Sequence, residues 1–337
     1  MSSINVAVLG GGSWGTTVAH LCAQKAPTAL WARSPETVAD INEVHRNRRY
    51  LPDHDLHPSL VATADLGEAL CSADMVVMGT PSHAFRQTLR DAGPHIRPWV
   101  PVVSLTKGLE LDTGLRMTEI VHDELPGHPV GVLTGPNLAK EIMDGAATAS
   151  VLAMQDDAVA MALQELFASE AFRVYTNDDL IGCELGGVLK NVIAIAAGMA
   201  DGMGTGDNTR AALITRGLAE ITRIGVAYGG SPMTFAGLAG MGDLIATCIS
   251  PQSRNRTVGQ KLGEGMTIDE VIADMNQVAE GVKSCKAVQT MAQEAGVEAP
   301  ITDQVVAVCH EGASVPEVYA RLLHRASRRE LHGIADR

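Results

Sequence analysis

The sequence predicts an α/β protein in two parts, a parallel, helix-covered sheet over residues 1–178 and an all-helical domain over residues 179–337. Three observations carry this reading. Short β-rich apolar runs alternate with helical patterns from residue 4 to about 176, the rhythm of strand–helix–strand units. A glycine-rich turn in VAVLGGGSWGTTVAHL joins the first strand pattern to the first helix pattern. Beyond residue 180 the β-branched runs stop and Ala, Gly, Met and Leu dominate.

In chain order the strand patterns are INVAVLG, TALWA, ADMVVMG, VPVVSLT, PVGVLTG, ATASVLAM and FRVYTN. The boundary falls near Tyr175 to Leu180, where TNDD offers a turn and an N-cap for a long helix. Helical text follows in LGGVLKNVIAIAAGMADG and NTRAALITRGLAEITRIGVAYGG, and the tail ASRRELHGIADR reads as a frayed helix end.

A chain of 337 residues with 46% hydrophobic content exceeds what one core usually supports, which again favours two domains. The six cysteines, at 22, 71, 183, 248, 285 and 309, have no metal or redox spacing. They are expected to be reduced and to act as small core or near-site residues, and no metal is expected. No basic, apolar-cored leader precedes INVAVLG. The longest purely apolar-looking run, VIAIAAGMA, is far shorter than the roughly 20 residues of a bilayer crossing. A soluble cytoplasmic chain without membrane insertion is the expectation. The net charge of −13 argues against nucleic acid and anionic membranes as partners, so any phosphate must be held locally.

Gly10, Gly12 and Gly15 form G-x-G-x-x-G directly after a strand and at the start of a helical run. The first glycine permits the tight turn, the second lets a pyrophosphate touch the backbone, and the third lets helix and strand pack closely. Unpaired helix N–H groups then face the anion. A Rossmann-type dinucleotide-binding domain follows, with Ser13 and Trp14 placing backbone and side chains against the dinucleotide. The acid that would hold the ribose 2′-hydroxyl about 20 residues on is missing. The window reads LWARS, and Arg33 can pair with a 2′-phosphate, so NADP is expected to be accepted as well as NAD.

Four further segments carry polar residues where a core would not want them. In SLTKGLE, Lys107 follows an apolar strand at its carboxyl end, where ligands sit in open α/β sheets, although from residue type alone a solvated loop lysine is the better reading. In TGPNLAKEI a Gly-Pro turn leads into a helix beginning near Asn137, so that Gly135 and Asn137 could touch substrate and Ala139 could line the nicotinamide, although Asn137 serves equally as an ordinary N-cap. In GGVLKNVIAIAAG, Lys190 and Asn191 interrupt an otherwise apolar helix. Interior lysines are rare unless paired or functional, and an amine desolvated near a second cation loses its proton more readily, which suits a general base. In AGLAGMGDLIATCISPQSRNRTVG, Asp243 is the only charge of the glycine-rich first half. SRNR then sets Ser253, Arg254 and Asn255 at a helix start, a geometry that can grip a phosphate.

GGGSWGT, PSH, TKGLE, TGPNLAKEI, LKNVIAIAAG, GLAGMGDLIATC, SRNR and VAEGVK stand in an order and spacing that resemble the NAD(P)-dependent glycerol-3-phosphate dehydrogenase family over nearly the whole chain. The resemblance implies reversible reduction of dihydroxyacetone phosphate to sn-glycerol 3-phosphate, the backbone of glycerophospholipids. It implies Lys190 as the base toward the C2 hydroxyl, Lys107 and Asp243 as its polar companions, and Asn191 and Thr247 as residues of the same catalytic site. Arg254, Asn255 and Ser253 would bind the substrate phosphate, and Gly135 and Asn137 would touch substrate. Asn137 stands where many bacterial members carry Ser or Thr, so its backbone contact is the firmer expectation. Ser13, Trp14, Arg33, Lys107, Ala139, Arg254, Val278 and Glu280 correspond to dinucleotide contacts. A homodimer is expected by analogy. The rival is another β-hydroxyacid dehydrogenase acting on a carboxylate, from which GMGDLIATC with SRNR distinguishes this chain.

Overall fold

The structure, a computed structural model, describes residues 4–275 and 279–324. Val278 and the tail from residue 325, both named above, lie outside the described residues. The chain divides into two compact units, one closing at Leu180 and the other opening at Ile181, with Leu111–Gly114 counted in the second.

The first unit holds the strands β1 (Val6–Leu9), β2 (Thr28–Trp31), β3 (Arg46–Asn47), β4 (Leu51–Asp55), β5 (Val61–Thr63), β6 (Met75–Met78), β7 (Val102–Ser104), β8 (Val130–Thr134), β9 (Thr148–Met154) and β10 (Phe172–Asn177). Its helices are α1 (Ser13–Ala23), α2 (Pro35–Val44), α3 (Leu66–Leu70), α4 (Ser82–Ala92), α5 (Met117–Glu124), α6 (Ala139–Met143) and α7 (Asp157–Phe167). Eight strands make one sheet in the order β10-β9-β8-β7-β6-β1-β2-β5. Successive side chains of a strand point to opposite faces. Accordingly Val6 and Val8 join one apolar cluster, with Leu30 and Val77, while Ala7 and Leu9 join another, with Val76 and Met78. Burial on both faces is why these strands read as unbroken apolar runs.

The sheet is mixed, which corrects the wholly parallel expectation: β8 and β9 are antiparallel, with Leu133 opposite Leu152, while β9 and β10 are parallel to each other. A parallel return needs a crossover of a dozen or more residues with a substantial helix. The link between β8 and β9 carries only α6, five residues long, which spans about 7 Å and cannot carry the chain back along the strand. The edge strand β5 and the two-stranded β3–β4 hairpin also lie outside the strand patterns read from sequence. RNRRYLPDHD is charged, contains a proline and shows no alternation.

The second unit is helical: α8 (Leu180–Gly202), α9 (Asp207–Ala227), α10 (Pro232–Phe235), α11 (Asp243–Ile249), α12 (Arg254–Gly263), α13 (Ile268–Asp274), α14 (Glu280–Glu294), α15 (Pro300–His310) and α16 (Val315–Leu323). By length and composition α8 could cross a bilayer, but 94% of its apolar window is buried inside the protein, as befits a core helix. A second such stretch, Pro232–Ile249, is interrupted by a π-helical turn at Leu238–Gly242.

Glycines let α8 and α12 touch backbone to backbone. A Cβ on Gly198 would lie 2.0 Å from the Arg256 carbonyl oxygen, and one on Gly259 would lie 1.9 Å from that of Ile195. Gly202 and Gly263 repeat the arrangement one turn on, against Gln260 and Met199. Five cysteines are buried as expected, whereas Cys71 is exposed.

Glu220 of α9 is fully buried. Its carboxylate accepts the Ile301 and Thr302 N–H groups and the Thr302 hydroxyl at 2.9, 2.9 and 2.7 Å, capping the start of α15. Burial pushes its carboxyl above the ordinary value, against the opposing pull of these donors. Glu220→Gln sets an amide N–H against an N–H donor, so urea unfolding should show a loss of about 2 kcal/mol. A raised folded value means the native group contributes most below its unfolded value. Its margin over the variant should therefore narrow as pH rises through the window between the ordinary and the raised value.

Candidate active site

In the first unit the glycine turn has three distinct environments. Gly10 holds φ of 135°, and a Cβ there would lie 2.6 Å from the Gly79 backbone. A Cβ on Gly15 would lie 2.1 Å from the Gly10 carbonyl oxygen. Around Gly12 nothing lies within 4 Å of such an atom, and no side chain caps α1. The first and third glycines are thus required by packing, and the second leaves an open approach to the N–H groups of the first turn of α1. Those groups suit a diphosphate.

Ser13 begins α1 and its hydroxyl donates to the Tyr50 carbonyl at 3.4 Å. The Trp14 ring is half-buried, packs edge-on to Phe172 at 6.2 Å beside the sheet core, and keeps its Nε1 buried without a partner among the described residues. Arg33 is exposed directly after β2 and forms no ion pair among the described residues.

The Lys107 amine, after β7, donates to the Gly135 carbonyl at 2.8 Å, and Gly135 holds φ of 124°. The helix expected near Asn137 begins instead at Ala139, with Leu138 in the N-cap position. Asn137 therefore does not cap it. Both its Oδ1 and its Nδ2 are buried without a partner. Buried amides almost always find one, so these atoms are open to a ligand or a bound water.

In the second unit Lys190 is 5% exposed and Asp243 2%. Lys190 Nζ donates to Asp243 Oδ1 at 2.6 Å and to Thr247 Oγ1 at 2.5 Å. Thr247 Oγ1 donates its own hydrogen bond to the Asp243 carbonyl at 2.6 Å, one turn back along α11, which leaves its lone pairs for the lysine. Two of the three ammonium donors are thereby taken and, among the described residues, the third has no partner. The nearest charge is the Asp243 carboxylate. The π-helical turn ends where Asp243 begins α11. Gly186 of α8 lets the Ala239 carbonyl approach to 2.5 Å of where a Cβ would stand. Burial pushes the neighbouring Cys248 thiol up to about 12, so it remains protonated.

Asn191 and Asn255 meet where α8 and α12 touch. Asn255 Nδ2 donates to Asn191 Oδ1 at 3.0 Å, and Asn255 Oδ1 accepts the Gly281 N–H at 2.9 Å. The Asn255 side chain thus ties α8, α12 and α14 together. Ser253 is the N-cap of α12 and accepts the Arg256 N–H at 3.2 Å. Arg254 is exposed in the first turn, whereas Arg256 pairs with Asp201 at 2.8 Å. Asp201, an acid near the end of a helical run, carries no local sequence signal of this pairing. Glu280 starts α14.

The structure therefore gathers Lys190, Asp243 and Thr247 into one hydrogen-bonded set, joins Asn191 to Asn255, and joins Lys107 to Gly135. No group of His, Cys, Asp and Glu able to hold a metal occurs among the described residues. The set can present a proton on a fixed amine to one further oxygen. Asp243→Ala strands a buried ammonium, so unfolding by urea should show a loss of about 3 kcal/mol, much of it recovered when Lys190→Met is added.

Two family models match the chain, described as the NAD-dependent glycerol-3-phosphate dehydrogenase N-terminus over residues 5–160 and C-terminus over residues 179–320. A glycerol-3-phosphate dehydrogenase [NAD(P)+] of Sphingopyxis alaskensis is 61% identical, covering 98% of this chain and 99% of its own. That of Mycobacterium avium is 55% identical, covering 99% and 98%. Among solved structures, glycerol-3-phosphate dehydrogenase from Coxiella burnetii superposes with a TM-score of 0.91 at 38% identity, over 96% of this chain and 99% of that one.

Proposed function

Because the chain belongs to the NAD-dependent glycerol-3-phosphate dehydrogenase family, we propose that Lys190 is the proton donor and acceptor at substrate C2. The enzyme is an NAD(P)-dependent oxidoreductase that reversibly reduces dihydroxyacetone phosphate to sn-glycerol 3-phosphate. When bound, the nicotinamide dinucleotide supplies or receives the hydride at C2. Gly10, Gly12, Gly15, the backbone at Ser13 and Trp14, and Arg33 are the residues we assign to holding it, with Lys107, Ala139, Arg254, Val278 and Glu280.

The observation that carries the lysine's role is the single unspent donor of a buried, carboxylate-paired ammonium. In reduction, that N–H polarises the ketone oxygen and its proton passes to the forming alkoxide. In oxidation the neutral amine takes the hydroxyl proton back. Asp243 and Thr247 hold the amine in one orientation throughout, and Asn191 is a neighbour of the set through α8. Arg254, at the first turn of α12, holds the substrate phosphate by charge together with the helix N–H groups, Ser253 and what remains of Asn255. Such anchoring orients C2. Lys107, Gly135 and Asn137 are assigned to substrate contact, and the orphaned Asn137 amide supports this.

Loss of NADPH absorbance on adding dihydroxyacetone phosphate tests the reaction directly. In that assay Lys190→Ala should lower kcat at least about a hundredfold, while NADPH Kd stays within about twofold. Near-native turnover would remove the lysine from its role. Arg33→Ala should lower the NADPH over NADH preference in kcat/KM by about tenfold, as loss of one guanidinium–phosphate pair implies.

A further inference from the structure

The three glycines at 10–12 give the dinucleotide loop little rigidity of its own, because glycine loses more backbone freedom on ordering than any other residue. Something outside the loop must hold it. The β3–β4 hairpin meets the loop and the start of α1 at Asn47 and, through its turn, at Tyr50. Asn47 is fully buried, and its Nδ2 donates to the Gly11 carbonyl at 2.9 Å and to Thr16 Oγ1 at 2.8 Å. Both amide N–H bonds are therefore spent on the turn and on the first helical residues beyond it. Its Oδ1 accepts the Tyr50 N–H at 3.3 Å, so the same side chain closes the hairpin's own turn. The Tyr50 carbonyl in turn accepts the Ser13 hydroxyl.

The segment that follows the hairpin, between β4 and β5, is tied separately to α1 further along: the His57 N–H donates to His20 Nδ1 at 3.0 Å, and Ser59 Oγ donates to the Ala23 carbonyl at 3.0 Å. Of these contacts, that of Asn47 is the one that falls on the glycines.

We propose that Asn47 is a positioning residue for the dinucleotide. By fixing the Gly11 carbonyl and the Thr16 hydroxyl it keeps the first-turn N–H groups of α1 aimed outward past Gly12, so that less ordering is left to be done when a diphosphate binds. This rests on the dinucleotide reading given above.

Asn47→Asp is the informative variant, since it is nearly isosteric and still accepts from Tyr50 but cannot donate to Gly11 or Thr16. Asn47→Ser, too short to span both acceptors, guards against a fold-specific fault of the aspartate. Ser59→Ala loosens the segment after the hairpin where it meets the end of α1, away from the glycines, and controls for general loosening around α1. NADPH fluorescence titration should show Kd raised about tenfold in both Asn47 variants, about 1.4 kcal/mol. The Ser59→Ala Kd, and kcat at saturating NADPH and the dihydroxyacetone phosphate KM of the Asn47 variants, should stay within about twofold of native. Native-like NADPH affinity in both Asn47 variants, or an equal rise in Ser59→Ala, would overturn the assignment. Failure of the native chain to bind NADPH in the same titration would instead strike the dinucleotide reading itself.

Discussion

A charged amine inside an apolar helix is tolerable only with an anion beside it, and the Lys190–Asp243 contact meets that condition at 2.6 Å. Much of the helical unit follows from it. Asp243 must enter from another helix at the level of Lys190, and the π-helical turn at Leu238–Gly242 sets where α11 begins. Thr247 follows one turn later, its hydroxyl committed to the Asp243 carbonyl and so oriented as an acceptor. Burial makes the pair costly to break, and it also makes the remaining donor useful, because an electrostatic contact is stronger where water is excluded.

Glycine serves two separate ends in this chain. On α8 and α12, Gly198, Gly202, Gly259 and Gly263 stand where any side chain would strike the other helix's backbone. The contact brings Asn191 to Asn255 and, through Gly281, ties in α14. In the β1–α1 turn, by contrast, Gly12 faces open space and Gly10 and Gly15 do not. The former arrangement is packing; the latter combines packing at two positions with access at the third. Composition alone does not separate these uses, since both appear simply as small residues at short intervals.

Polar side chains show the same division between ligand and scaffold. Arg254 and Arg256 are two residues apart in SRNR, yet one is exposed and the other is paired with Asp201. Asn137 and Asn255 are both amides beside helix starts. Asn137 leaves both polar atoms unpaired, whereas Asn255 uses its oxygen and one N–H within the protein. Which member of each pair is held within the fold depends on the local course of the backbone, to a fraction of a helical turn.

The local chemistry was legible in the residues alone: the glycine turn between strand and helix, the absence of an acid where Arg33 stands, the interior placement of Lys190 and the change from alternating to helical text near residue 180. These depend on the conformational freedom of single residues and on periodicity, which neighbours in sequence express directly. What only the tertiary structure decided were contacts between segments far apart in the chain. They include the reversal of β9 against β8, the packing of Trp14 on Phe172, the tie of Asn255 to Asn191, and the hold of Asn47 on the glycine loop. None of these leaves a local pattern, because a hydrogen bond or a close backbone approach is set by where two distant segments are brought together in space.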